Sequence, residues 1–179
     1  MPIAIIDIGT NTVILLIAEI RPDHSYHVFH DEACITRLGE GIHQNSAFLE
    51  SGMARTFAAL KDFKNTIDSY DCDSVIAVGT AAFRNAQNAS VFITRIQNDL
   101  QIPVKIISGE IEADLIFQAT TADFQNLERP VLVVDIGGGS TELIFDNEGP
   151  AKDGWAQGPT PTLYSLPFGS VKLTEQFIK

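Results

Sequence analysis

The chain has 179 residues, 45% of them hydrophobic and 20% charged, with a formal net charge of −11. That length and apolar fraction exclude a disordered chain and allow one large or two small domains around a real core. An acidic chain without a Lys/Arg run argues against a nucleic-acid partner, and any phosphate ligand must be held by local groups (backbone N–H, a few Arg, a metal) against the overall field.

Along the chain, Ile3–Asp7 and Val13–Ile20 read as two strands joined by the turn IGTNT. No basic region precedes the first apolar stretch, and no apolar run approaches the ~20 residues of a bilayer span, so neither a signal peptide nor a membrane partner is expected. Tyr26–Arg37 alternates loosely and predicts a third strand, followed by the Gly-punctuated turn Leu38–Ile42. Cys34 and Cys72 have no metal-ligand spacing and read as reduced thiols of a cytoplasmic protein. His24, His27 and His30 resemble a metal ladder, but strand alternation turns His27 away from the other two, and solvated or half-buried imidazoles are expected instead.

Met53–Tyr70 carries helical apolar spacing. Ser74–Thr80 reads as a buried strand, and Ala89–Leu100 as a helix with Asn88 as its N-cap. Val104–Ile107 is a further strand, and Ser108 opens a helix to about Ala122. Strands alternating with helices place the chain in the α/β class.

The opening pattern then returns. Val131–Asp135 is an apolar strand ending in an acid, IGGGST is a turn, and Glu142–Phe145 begins the next strand. IIDIGTNTV lies over VVDIGGGST, pairing Asp7 with Asp135, Gly9 with Gly137 and Thr12 with Ser140. The repeat predicts two related lobes facing across a cleft, with a boundary near Thr121–Pro130. A Gly- and Pro-rich loop around Trp155 follows; that ring either stacks on a ligand or packs on its own lobe. Leu163–Pro167 reads as a strand and Gly169–Lys179 as the start of a helix.

The chemistry concentrates in the two repeated loops. Gly9, Gly137, Gly138 and Gly139 let backbone approach an anion, and successive N–H groups in such turns form an anion-binding concavity. Thr10, Asn11, Thr12, Ser140 and Thr141 add polar side chains. One copy would read equally well as an ordinary hairpin turn; two copies, each after an apolar strand and an Asp, read as phosphate loops. Asp7 and Asp135 either hold Mg²⁺ beside a phosphate or accept hydrogen bonds from their own turns, and the two roles are compatible. Glu110 and Glu112 in a helix first turn complement the helix dipole. Arg84 reads either as a fork onto phosphate oxygens or as a surface Arg.

The segments DIGTNT, RLGEG, GTAAFRNAQN, ISGEIEA, DIGGGSTEL and FGSVKLTEQF, in this order, resemble the exopolyphosphatase/guanosine pentaphosphate phosphohydrolase (Ppx/GppA) family of the actin-like ATPase superfamily. The resemblance covers the whole chain. It implies ribonuclease-H-like lobes with mixed sheets flanked by helices: a first lobe at residues 1–124 and the beginning of a second at 125–179. Family members continue beyond the last residue here, so a fragment is expected, with self-association or inactivity when alone. The resemblance makes Glu112 the catalytic acid that activates water and Arg84 its phosphate-holding partner. It gives Asp7, Asp135 and Glu142 metal and water positioning, and the two Gly loops phosphate binding. It further implies Mg²⁺ or another divalent cation, terminal phosphate removal from polyphosphate or pppGpp, a guanosine penta- or tetraphosphate or polyphosphate partner, and a homodimer in the full-length protein. Three positions depart from the family pattern: Ile14 stands for a basic residue, Ile111 for the first acid of a Glu-Glu pair and Asp114 for an Arg. Those departures motivate an alternative, a non-catalytic sensor that binds pppGpp or polyphosphate. An ATP-using kinase of the same superfamily is a third reading, against which the ISG…EA segment argues.

Overall fold

A computed structural model describes residues 1–23, 25–122, 124, 127–147 and 161–178. His24, Trp155 with most of its loop, and part of the expected lobe boundary lie outside the described residues.

The first sheet has five strands: β1 (Ile3–Ile8), β2 (Thr12–Ile20), β3 (Tyr26–Ile35), β4 (Ser74–Gly79) and β5 (Val104–Ile106), in the order β3-β2-β1-β4-β5. β1, β2 and β3 run antiparallel as a meander, whereas β1–β4 and β4–β5 are parallel. Strand alternation sends Ala4, Ile6, Ile8, Val13, Leu15 and Ile17 to one face, all of them fully buried. That face is covered by α2 (Glu50–Ser69) and α4 (Ala89–Leu100), which contribute Leu60, Phe63, Phe92 and Ile96 to one continuous core. The short helices α1 (Ile42–Asn45) and α3 (Ala81–Asn85) were not expected. Both are too short to show apolar periodicity, and α3 is held by tertiary contact: Phe83 packs edge-on against Phe48 at 5.1 Å and stacks with Phe92 at 6.3 Å.

The second sheet is the antiparallel meander β6 (Val131–Ile136), β7 (Thr141–Asp146), β8 (Thr162–Leu166). It repeats the β1–β2–β3 topology, as the sequence repeat requires. Its inner face carries Val133 and Ile144 and packs on Ala113, Ile116 and Phe117 of α5 (Gly109–Thr121). So α5 leaves the first sheet through β5 and packs on the second. The last helix is α6 (Ser170–Phe177). The outer face of the second sheet leaves Leu132, Val134, Ile136, Phe145 and Tyr164 exposed.

The α/β class with mixed sheet and flanking helices agrees with the sequence reading. Asn88 is the N-cap residue of α4 as expected, but its side chain makes no cap bond. Instead Asn88 Oδ1 accepts from Phe48 N–H (2.8 Å) and its amide donates to Phe48 O (3.1 Å), tying the segment before α2 to the start of α4. A capping residue and a loop clamp need the same short polar side chain, so local sequence cannot separate them. A bulge between Ile17 and Ala18 breaks the β2–β3 register opposite His27–His30, and His30 bonds Glu32 at 3.0 Å. No helix among the described residues is long and apolar enough to cross a membrane.

Candidate active site

The two Gly-rich turns close in the same way. Gly9 N–H donates to Thr12 O and Gly137 N–H donates to Ser140 O, each at 3.0 Å. Asp7 pairs with Ile14 in the first hairpin as Asp135 pairs with Glu142 in the second. The turns face each other. A Cβ on Gly139 would lie 2.4 Å from Thr10 Oγ1, and one on Gly138 would lie 3.2 Å from Thr10 Cβ. Those glycines are therefore set by the close approach of the two turns.

The RLGEG segment supports the first turn from behind. Gly39 N–H donates to Thr10 O at 2.8 Å, and the Thr36 and Arg37 amides both reach Asn11 O. Arg55, from α2, steadies this segment through Thr36 O at 2.7 Å and Glu40 at 2.7 Å. Thr10 and Asn11 line the cleft beside these bonds, and Asn11 Nδ2 donates to Thr12 Oγ1 at 3.4 Å.

Between the turns lies a cavity of about 330 Å³. Asp7, Gly9, Thr10, Asn11, Thr12, Glu112, Asp135, Gly137, Gly138, Gly139 and Ser140 line it. Three expected residues stand apart from that lining. Thr141 is buried and donates to Phe168 O at 2.8 Å, so its hydroxyl serves the fold. Glu142 is fully buried behind the cleft, where its Oε1 accepts from Ser165 Oγ at 2.8 Å. Arg84 sits behind Glu112: its Nη1 donates to Glu112 Oε2 at 2.7 Å and to Ile107 O at 3.0 Å.

The electrostatics follow from burial. Glu112 rides in the first turn of α5, which Ser108 caps by accepting from Ile111 N–H at 3.2 Å. Its side chain is only 17% exposed. Burial pushes its carboxyl above the usual range; the bond and charge of Arg84 oppose the shift, and Glu142 and Asp7 add to it. Such a carboxylate is more basic than one in water yet keeps a cationic partner.

Asp7 is pushed up to about 6, first by burial and then by the Asp135 charge across the cleft. Its ordinary value is 3.8, so the native state disfavours its ionised form. This contribution to stability is complete below the ordinary value and is lost as pH rises through about 6. In the absence of divalent cations, Asp7→Asn is therefore expected to leave stability nearly unchanged near pH ~2.5, below the ordinary value, and to raise it by about 3 kcal/mol at pH ~8. Urea unfolding at both pH values checks this; equal effects at the two would contradict it.

Asp7 Oδ1 and Glu142 Oε2 are buried without a hydrogen-bond partner. Orphaned carboxylate oxygens beside two Gly-rich turns suit a hard divalent cation. Among the described residues no group of three or more His, Cys, Asp or Glu gathers around one point. Mg²⁺ does not need one, because it keeps waters and is commonly held by one or two carboxylates plus substrate phosphates. Asp7 and Asp135 fit that role from the cleft, and Glu142 fits it from behind.

One further tie joins two of the quoted segments, and nothing in the sequence pairs them. Glu175 of α6 accepts from Gly41 N–H at 3.1 Å and lies 3.0 Å from His43 Nδ1, linking the last helix to the RLGEG turn across 134 residues. A Glu on a helix face reads as solvated until the partner loop is known. Gly41 has φ 67°, the left-handed region that glycine adopts without strain.

Comparison with known proteins adds an independent line. The model of the Ppx/GppA phosphatase family matches residues 16–179. Exopolyphosphatase 2 of Mycobacterium tuberculosis is 31% identical over 182 residues, covering 97% of this chain and 54% of that protein. A guanosine-5'-triphosphate,3'-diphosphate pyrophosphatase of Vibrio cholerae is 33% identical, over 98% of this chain and 33% of its own length. The crystal structure of an exopolyphosphatase from Cytophaga hutchinsonii superposes with a TM-score of 0.87 at 34% identity, covering 99% of this chain and 54% of that one. The chain thus spans about half the length, or less, of these relatives.

Proposed function

For a chain that belongs to the Ppx/GppA phosphatase family, we propose that its site hydrolyses terminal phosphoanhydride bonds of inorganic polyphosphate, pppGpp or both, by attack of water. The observation that carries this is Glu112: a mostly buried carboxylate, held by Arg84, opening onto a cavity walled by two phosphate loops. The names of the exopolyphosphatase and pyrophosphatase relatives support the substrate class.

The terminal phosphoryl group is held in the cleft by the backbone amides of the two turns, with Thr10, Thr12 and Ser140 beside it. Glu112 accepts the proton of the attacking water. Arg84 fixes the Glu112 carboxylate and, from the adjoining pocket that it lines with Gly139 and Ser140, takes a non-bridging oxygen when substrate is bound. A bound Mg²⁺ would neutralise charge as the P–O bond breaks, with Asp7, Asp135 and Glu142 as the residues to hold it or its waters. General-base help of this kind contributes about 10²–10⁴ in rate. The lobes are proposed to divide near residues 124–125, with α5 carrying Glu112 from one to the other. A cytoplasmic homodimer completes the reading, and the exposed apolar face of the second sheet supports self-association.

The sensor reading has its own observation. Ile14, where the family usually has a basic residue, lines the cleft and is 40% exposed. Asp114, which replaces an Arg, is engaged by Gln118 at 2.7 Å. Phosphate release from polyphosphate and from pppGpp, measured with Mg²⁺ and with chelator, separates the two. Mg²⁺-dependent release from either is expected; tight binding with no release under any divalent cation would favour the sensor.

A further inference from the structure

We infer that Ser165 is a positioning residue for this site, holding the buried Glu142 carboxylate in place from the second sheet. The inference rests on the proposed metal-assisted hydrolysis and adds a residue that the two loops and Glu112 do not include.

Ser165 stands directly opposite Glu142 across β7 and β8. Its Oγ donates to Glu142 Oε1 at 2.8 Å, while Oε2 has no hydrogen-bond partner. Glu142 is fully buried, and a buried carboxylate without a donor is strongly disfavoured. The hydroxyl therefore does two things. It keeps the carboxylate tolerable where it is, and it fixes the rotamer so that the second oxygen stays uncommitted.

A second observation points to the same residue. Gly109 opens α5, and a Cβ there would lie 2.4 Å from both Cβ and Oγ of Ser165. The start of α5 thus sits against Ser165 with no room for a methyl group. One turn later the same helix presents Glu112, which feels the charge of Glu142. Ser165 consequently sets two carboxylates at once: Glu142 through a hydrogen bond, and Glu112 through the seat of its helix. Neighbouring Tyr164 points to the exposed face, so the strand alternation puts only the Ser in this role.

Groups that orient a metal-site carboxylate from behind typically cost 10–100-fold in affinity or activity when removed. The test is Mn²⁺ titration of the protein by electron paramagnetic resonance, with inorganic phosphate present, for the parent, Ser165→Ala and Gly109→Ala. Both variants are expected to bind Mn²⁺ roughly tenfold more weakly while keeping the parent circular dichroism spectrum. Gly109→Ala does so by displacing Ser165, and it keeps the question answerable if Ser165→Ala fails to fold. Parent-like affinity in Ser165→Ala overturns the inference. Weak binding by Gly109→Ala beside normal binding by Ser165→Ala also overturns it, since the contact would then be packing alone. A parent that binds no Mn²⁺ overturns the metal reading and this inference with it, whether or not phosphate is released. Normal Mn²⁺ binding and a parent-like Ser165→Ala leave the hydrolysis reading standing.

Discussion

Glu112→Gln lowers kcat by about 10²–10⁴ with KM little changed, once hydrolysis is measured on the active protein. The amide keeps the size of the carboxylate and still offers an oxygen to Arg84 Nη1, now 2.7 Å from Glu112 Oε2. What it loses is the ability to accept a proton. Substrate binding rests on the two turns, so it is retained. The loss of a charge that burial already disfavours leaves the fold intact or slightly more stable. Steady-state kinetics with thermal unfolding as a control checks this. Turnover equal to the parent would remove Glu112 from the mechanism.

Gly169→Ala is expected to damage stability and site together. A Cβ at residue 169 would lie 2.5 Å from Gly137 O and 2.6 Å from Gly138 C, both backbone atoms that cannot swing away. The neighbouring contacts are the ones that seat α6 on the second loop: Ser170 N–H donates to Gly137 O at 2.9 Å and Val171 N–H to Gly138 O at 3.1 Å. Making room means displacing the loop from α6. Overpacking of this kind costs about 1–3 kcal/mol. In a chain of this size that lowers Tm by roughly 2–12 °C. Phosphate binding is expected to fall with it, because the displaced atoms belong to the turn proposed to hold phosphate. A Gly169→Ala protein with the parent Tm and phosphate affinity would contradict this close approach.

Local turn chemistry made much of the site legible in the chain itself. Each Gly-rich loop is an apolar strand, an acid, glycines and hydroxyls within ten residues, and the two copies fold into hairpins with the same closing hydrogen bond. The β-strands and long helices were equally plain, because alternation and helical spacing are properties of consecutive residues. Residues whose partners are distant in sequence behaved differently. Arg84 read equally as phosphate fork or surface residue; only the packing of α3 on Phe48 and Phe92 turns it towards Glu112, 28 residues on. Asn88 carries a capping side chain that the fold spends on Phe48. Thr141 belongs to the loop motif yet faces Phe168, because it stands past the turn, where strand alternation decides direction. Ser165 falls in no motif, and Glu175, although it lies within FGSVKLTEQF, shows nothing of its partners, since a Glu on a helix face reads as solvated.

In the proposed reaction, water activated by Glu112 attacks the terminal phosphoryl group in the cleft between the two loops. Hydrolysis in ¹⁸O-labelled water with Mg²⁺, followed by mass analysis of the products of polyphosphate and pppGpp, tests it most directly. Label is expected in the released inorganic phosphate and none in the shortened chain or nucleotide. Label in the remaining chain or nucleotide, or transfer of phosphate to another acceptor without label, would contradict it.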